Sequence, residues 1–287
     1  MTAYRTSLIK RHRSTKVEVE QRRQDLYDIV SAAQPMTVRQ VFYQATVRGI
    51  VEKAESGYAK VQTDLTLMRR AGELPYGWLA DNTRWQRKLR SFDSVQEALE
   101  NAARLYRKNL WTDADSYVEI WLEKDALAGV VLPITAMYDV PLMVARGYAS
   151  LSFLHNAAEY INELPVPAYI YHLGDFDPSG VNAGERIETS LRELAPSAEI
   201  YFERIAVTEQ QITAWNLPTR PTKATDTRAR NFGSISVELD AIEPNRLRDI
   251  VSDAIEEHLP EHQYEVLKAA EQSEREVIAR LVAKVRL

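Results

Sequence analysis

From residue 116 onward, short apolar runs alternate with helical ones, and this alternation limits the possible folds more than any other feature. YVEIWLEK (117–124), VPLMVARG (140–147), VPAYIYHLGD (166–175) and AEIYFERIAV (198–207) read as strands. Between them, DALAGVVLPITAMY begins as a helix, LSFLHNAAEYINEL and VNAGERIETSLREL read as full helices, and TEQQITAW as a short one. Strands apolar on both faces that alternate with helices predict a mostly parallel sheet covered on both sides. A long polar loop, NLPTRPTKATDTRARNFGS, comes next, followed by VELDAI and two helices at about 244–258 and 261–284.

The front of the chain has a different texture. Residues 14–33 read as a helix with Val17, Leu26, Ile29 and Val30 as its apolar positions, behind a basic arm, RTSLIKRHR. In MTVRQVFYQATVRG, Thr37 is a suitable N-cap, and Val38, Val41, Phe42 and Ala45 make one core-facing stripe. A second helix, about 57–71, packs Tyr58, Val61, Leu65 and Met68 and stops at Gly72. ELPYGWLADNTRW then supplies turn and short-strand material. Helix, helix and β-like wing is the order of a winged helix-turn-helix of the CAP-like kind, and residues 94–109 read as a connecting helix. The fold class is therefore α/β, with a basic arm and helix over 1–35, a winged-helix domain over 36–110, and an α/β domain with C-terminal helices over 111–287.

Charge follows the same division. Residues 1–110 carry 20 Lys and Arg against 12 Asp and Glu, while the remainder carries 16 against 29. A basic front joined to an acidic back suits a DNA-contacting module fused to a metal-binding one, although an uneven solvated surface gives the same numbers. With zero cysteines there is no disulfide, thiolate zinc site or cysteine nucleophile. No apolar run approaches the roughly 20 residues that span a bilayer. The opening MTAYRTSLIKRHRST is too polar for a signal-peptide core, so a cytoplasmic protein is expected, nucleoid-associated in a prokaryote.

The third strand ends in LGDFDPSG. In a parallel α/β sheet, ligands sit beyond the carboxyl ends of the strands. Asp175 and Asp177 occupy that position on the third strand, and Glu123 occupies it on the first. Three converging carboxylates repel one another unless a cation joins them, and hard oxygen ligands suit Mg²⁺. Pro178 pre-sets the following helix and Gly180 admits a close backbone approach. A competing interpretation leaves Asp177 as a helix cap and Asp175 as a strand end. Glu119 is a further acid but lies mid-strand, and Glu238 and Asp240 of VELDAI are secondary candidates.

EIWLEKDAL and LGDFDPSG resemble the Toprim domain found in the A subunit of topoisomerase VI and its meiotic double-strand-break relatives. ARGYASLSFL (145–154) resembles the Gly-Tyr segment between the two motifs of that family. By this resemblance Glu123, Asp175 and Asp177 match metal-binding positions for Mg²⁺, and Lys124 beside them would touch phosphate. The family's A subunits also carry Arg-x-x-aromatic-Tyr on a winged-helix domain preceding the Toprim domain, and RQVFY supplies Arg39, Phe42 and Tyr43 at that spacing. At about 100° per residue, Tyr43 falls roughly 140° and Arg39 roughly 100° from the core stripe. That geometry predicts Tyr43 pointing away from the core beside a cation. In the next helix Lys60, Thr63 and Arg70 lie opposite the core stripe, as in a recognition helix, and Arg84, Arg87 and Lys88 add phosphate-binding capacity.

The resemblance implies a DNA-cleaving transesterase that acts on double-stranded DNA as a homodimer, one protomer's tyrosine meeting the other's metal site. Tyr43 would attack a backbone phosphate and leave a 5′-phosphotyrosyl link, with Arg39 and Mg²⁺ stabilising the transferring group. The chain is shorter than typical A subunits, with only a brief segment where those proteins engage an ATPase B subunit, and it carries no Walker-type ATP motif. It is similar in this to the shortened, stand-alone Mini-A members, for which cleavage without an ATPase partner is expected. Two rivals stay open: a metal-dependent Toprim nuclease like the nuclease subunit of the Wadjet plasmid-defence system, and a non-catalytic DNA-binding protein.

Overall fold

The computed structural model describes residues 14–80, 90–222, 232–259 and 263–284. Two compact units divide the chain, residues 1–79 and 80–287.

The first unit packs three helices, α1 (Lys16–Ala33), α2 (Val38–Val47) and α3 (Glu55–Ala71), against one another. Local chemistry sets where they begin and end. Thr15 caps α1 reciprocally with Glu18, and Thr37 caps α2 reciprocally with Gln40, each pair satisfying two amide donors that the first turn would otherwise leave open. α3 stops at Gly72, whose φ of 76° is a left-handed conformation that a side chain would strain. Leu26, Ile29, Val30, Val41, Ala45, Val61, Leu65 and Met68 are buried between the helices. Beyond α3, a 3-10 turn (Tyr76–Trp78) leads to a single parallel bridge between Met36 and Leu79. The expected wing, residues 73–85, runs into residues 81–89, which lie outside the described residues together with Arg84, Arg87, Lys88 and the basic arm.

Asp64 of α3 is buried and is held by Arg22 Nε at 2.7 Å and Arg23 Nε at 3.2 Å, both on α1. Removing the acid strands two guanidinium groups at a largely covered site. Asp64→Ala is expected to lower the urea-unfolding free energy of the full chain by about 3 kcal/mol; a loss under about 1 kcal/mol would show that the ion pairs do not tie α1 to α3.

The second unit opens with α4 (Val95–Leu105) and continues through β1 (Tyr117–Leu122), α5 (Ala128–Met137), β2 (Leu142–Val144), α6 (Leu151–Asn162), β3 (Ala168–Leu173), α7 (Pro178–Leu194), β4 (Ile200–Ala206) and α8 (Glu209–Ala214). A two-stranded ribbon of β5 (Arg220–Pro221) and β6 (Ile235–Ser236) precedes α9 (Pro244–Glu256) and α10 (Gln263–Lys284). The four main strands form one wholly parallel sheet in the order β2-β1-β3-β4. Trp121 and Ile170 pack with α6 and α7 on one face, while Val118, Ile120 and Leu122 are buried on the other. Each expected strand is present, shortened at its ends.

The strand order matters for function. From β1 the chain crosses over to β2 on one side, and from β3 to β4 on the other. The crevice beyond the carboxyl ends of β1 and β3 is thus a topological switch point, where open parallel sheets bind ligands.

Candidate functional site

β1 and β3 end level, because Leu122 pairs with Leu173 in register. Glu123 therefore leaves the sheet beside Gly174, its amide donating to the Leu173 carbonyl at 2.9 Å. One carboxylate oxygen of Glu123 accepts the backbone N–H of Asp175 at 2.8 Å, so the two motifs are joined directly. Glycines permit this closeness. A Cβ on Gly174 would lie 2.6 Å from Glu123 Oε2, and one on Gly180 would lie 2.9 Å from the same oxygen and 2.5 Å from the Asp175 carbonyl.

The two aspartates have different partners. Asp175 is buried; its Oδ1 accepts the Leu239 amide at 2.8 Å and meets Lys124 Nζ at 2.8 Å. Asp177 caps α7, its Oδ1 accepting the amides of Ser179 and Gly180, while its Oδ2 pairs with Arg220 at 3.1 Å. The capping role that competed for Asp177 in the sequence is therefore present, together with an ion pair. Pro178 stands at the first turn of α7, as expected.

Two further acids reach the same place. Phe176 and Val237 exchange backbone hydrogen bonds at 2.8 and 2.9 Å, which lays VELDAI alongside the aspartate loop. Asp240 then meets Lys124 Nζ at 2.7 Å, and Glu238 lies 3.6 Å from Lys124 and 2.8 Å from Arg220. Sequence reading placed these acids second because VELDAI gave no sign of the single antiparallel bridge that delivers them. Arg204 and Arg220 carried no sequence signal. Arg204, on β4, donates to the carbonyls of Gly174, Asp175 and Gly180 at 2.8–3.2 Å and so clamps the loop that carries both aspartates.

Charge is unevenly compensated here. Burial, and then the Asp175 charge, push Glu123 up to about 6. Burial also raises Asp175, against the pull of Lys124. Lys124 is desolvated, which by itself would lower it, yet Asp240, Asp175 and Glu238 together hold it above its ordinary value. Glu123 has no ion-pair partner among the described residues, whereas the other four acids are shared between Lys124 and Arg220. Among the described residues no three acids or histidines are grouped so as to hold a metal ion as they stand, because Lys124 and Arg220 lie between them. The donor set nevertheless fits Mg²⁺: all oxygen, five carboxylates, and one of them raised by burial and by the Asp175 charge. Glu123, Asp175 and Asp177 are the residues that would hold it.

His172, on β3, lies beneath this loop. It is buried, and neither ring nitrogen has a hydrogen-bond partner. Burial first, and the nearby Arg204 charge second, push it down to about 3. A folded-state value below the unfolded one means that this group favours folding above about pH 6.5 and progressively opposes it as pH falls towards 3. His172→Leu is therefore expected to flatten the acid limb, with wild type losing about 2 kcal/mol more than the variant between pH 7 and pH 5 in urea titrations. Equal losses in the two proteins would show that the imidazole is not buried neutral.

The tyrosine helix departs from expectation. Tyr43 is 5 % exposed, not turned to solvent. The reason is that α2 is short and covered around most of its circumference: Gln40, Val41, Phe42, Tyr43 and Ala45 are all buried, while Arg39 and Val47 are exposed. The connection after α2 also folds back, with Ile50 N bonded to the Ala45 carbonyl and the Lys53 ammonium 5.7 Å from the centre of the Tyr43 ring. Phe42 packs against Tyr43 with ring centres 5.6 Å apart. The Arg39 guanidinium lies 5.5 Å over the ring of Tyr58 on α3. Lys53 is thus a cation at this ring, and the helical wheel could not find it because it comes from the turn.

On α3, Thr63 and Arg70 are exposed as expected, and Thr63 Oγ1 donates to the Ala59 carbonyl. Lys60 is half-exposed and paired with Glu52 at 3.0 Å, a surface contact that costs little to break.

No protein-family model matches the chain, and no curated protein does. Among the described residues no helix is long and apolar enough to cross a membrane.

Proposed function

We propose that this protein is a Mg²⁺-dependent DNA-cleaving enzyme that breaks double-stranded DNA by tyrosine transesterification. The observation that carries the reading is the meeting of Glu123, Asp175 and Asp177 at the switch point of a parallel sheet, with Glu123 in no ion pair among the described residues and raised by burial and the Asp175 charge. Bound Mg²⁺ would supply positive charge to the 3′ oxygen and the transferring phosphoryl group. The Tyr43 phenol gives up its proton as its oxygen attacks phosphorus, the bond to the 3′ oxygen breaks, and that oxygen takes up a proton and leaves as a hydroxyl while a 5′-phosphotyrosyl bond forms. Exposed Arg39 and ring-stacked Lys53 offer two cations to the phosphate before and during attack. Lys124 holds the acids in place and is the group that can move onto phosphate. Thr63, Arg70 and Lys60 of α3 face a duplex, which the positive balance of residues 1–110 favours. A double-strand break needs two copies, so the working form in this reading is a homodimer, without need of an ATPase subunit.

One observation favours a second reading. Tyr43 is covered in its own unit, so a metal-activated water is the alternative nucleophile at the same acids. Supercoiled plasmid incubated with the full chain and Mg²⁺ tests what the two share: linear product that vanishes with a chelator supports cleavage at the acid centre, and intact plasmid across a divalent-metal series makes the protein a binder only.

A further inference from the structure

The amino end of the same sheet holds a second buried acid. β1 sets Tyr117, Glu119 and Trp121 in a row on the face covered by α6. Glu119 is only 2 % exposed, and its two oxygens accept from the Tyr117 hydroxyl at 2.8 Å and Trp121 Nε1 at 2.6 Å. No lysine, arginine or histidine pairs with it among the described residues. A carboxyl group at a core position is costly relative to an apolar side chain of the same size, and two neutral donors return only part of that cost. Nothing in the strand pairing requires an acid here, since the cross-strand neighbour is Ile170.

A cavity of about 780 Å³ has Glu119 among its lining residues. Its walls include Trp111, Tyr117, Phe153 and Tyr160, with Asp139 as a second acid, and no lysine or arginine stands among its described lining residues. It is bounded by the starts of β1 and β3 and by α6, the opposite end of the sheet from Glu123 and Asp175. The volume is that of a small organic ligand and far exceeds a single ion. Aromatic faces and a carboxylate, with no competing cation, attract a positive head group on an apolar body.

We propose that this cavity binds an organic cation, a guanidinium or alkylammonium group on an apolar stem, with Glu119 as its counter-ion and Tyr117 and Tyr160 as its walls. The same chemistry is presented by a free amine or amidine and by an arginine side chain of a partner protein. Trp111 and Trp121 flank the site and report its occupancy by fluorescence.

The test titrates the full chain with benzamidine, agmatine, an arginine-containing tripeptide and, as a neutral isostere, benzamide. Saturable tryptophan fluorescence changes are expected with benzamidine or agmatine at concentrations at least tenfold below those needed for benzamide. Glu119→Gln, which keeps the shape and one acceptor oxygen, is expected to erase that preference. Tyr160→Ala, at a position 55 % exposed and so safe for folding, is expected to weaken cation binding several-fold. A tripeptide that binds more tightly than agmatine assigns the natural cation to a protein partner; the reverse order assigns it to a small metabolite. Benzamide binding as tightly as benzamidine, no binding by any cation, or unchanged affinity in both variants would overturn the proposal.

Discussion

Tyr43→Phe is expected to abolish covalent attachment to DNA while leaving duplex affinity within a few fold of wild type. The substitution removes one oxygen and keeps the ring. Phe42 still packs against it, and the Lys53 ammonium still lies over its face, so the unit is expected to stay folded. DNA affinity in this account comes from α3 and from cations that the change does not touch. A denatured gel of labelled duplex carries the result: a protein-linked band in wild type and none in the variant. Cleavage by the Phe variant at the wild-type rate would remove Tyr43 from the chemistry and leave water as the attacking group, which its burial already makes the competing reading.

Asp175→Asn is expected to reduce Mg²⁺-dependent cleavage by several orders of magnitude, and Asp177→Asn to do nearly the same. Each removes a formal charge from the oxygen set that would hold the cation. The two differ in their structural cost. Asp175 is buried against Lys124, so its amide leaves that ammonium with Asp240 as its remaining close partner. Asp177 caps α7 through an oxygen that asparagine retains. From the sequence, mutual repulsion alone predicts that either neutralisation stabilises the metal-free protein. The ion pairs move that expectation to Glu123, the acid without a cation partner, whose folded-state value of about 6 against an ordinary 4.5 makes it favour folding at low pH and lose that contribution as pH rises from about 4.5 to 6. Glu123→Gln is thus the variant expected to melt higher than wild type without metal at pH 7. Plasmid cleavage unchanged in both aspartate variants across a Mg²⁺ titration would detach the acid cluster from the activity.

Much of the second unit was legible before any coordinates. Strands that are apolar on both faces and alternate with helices allow few arrangements, and the acids at the ends of two such strands follow from the sheet rule alone. Asp-Pro-x-Gly offered Asp177 as a metal ligand or as a helix cap; the structure holds the cap, with an ion pair to Arg220 that the motif did not announce. Long-range delivery was not legible. Arg204 and Arg220 reach the aspartate loop from β4 and from the start of the polar segment, and VELDAI arrives through one pair of backbone bonds. No local pattern encodes such meetings. In the first unit the caps at Thr37 and Gly72 followed from residue type, because capping is local. Tyr43 misled, because a helical wheel assumes one buried face, and a ten-residue helix packed between two others with a returning turn has more than one.

The most direct measurement is to trap the reaction on duplex DNA with Mg²⁺ by rapid denaturation and to identify what is joined to the 5′ ends. The account predicts a phosphotyrosyl bond to Tyr43, formed only with a divalent metal, absent from Tyr43→Phe and from Asp175→Asn, and accompanied by free 3′-hydroxyls. Free 5′-phosphates with no protein attached, or uncut DNA with every metal tried, would contradict it.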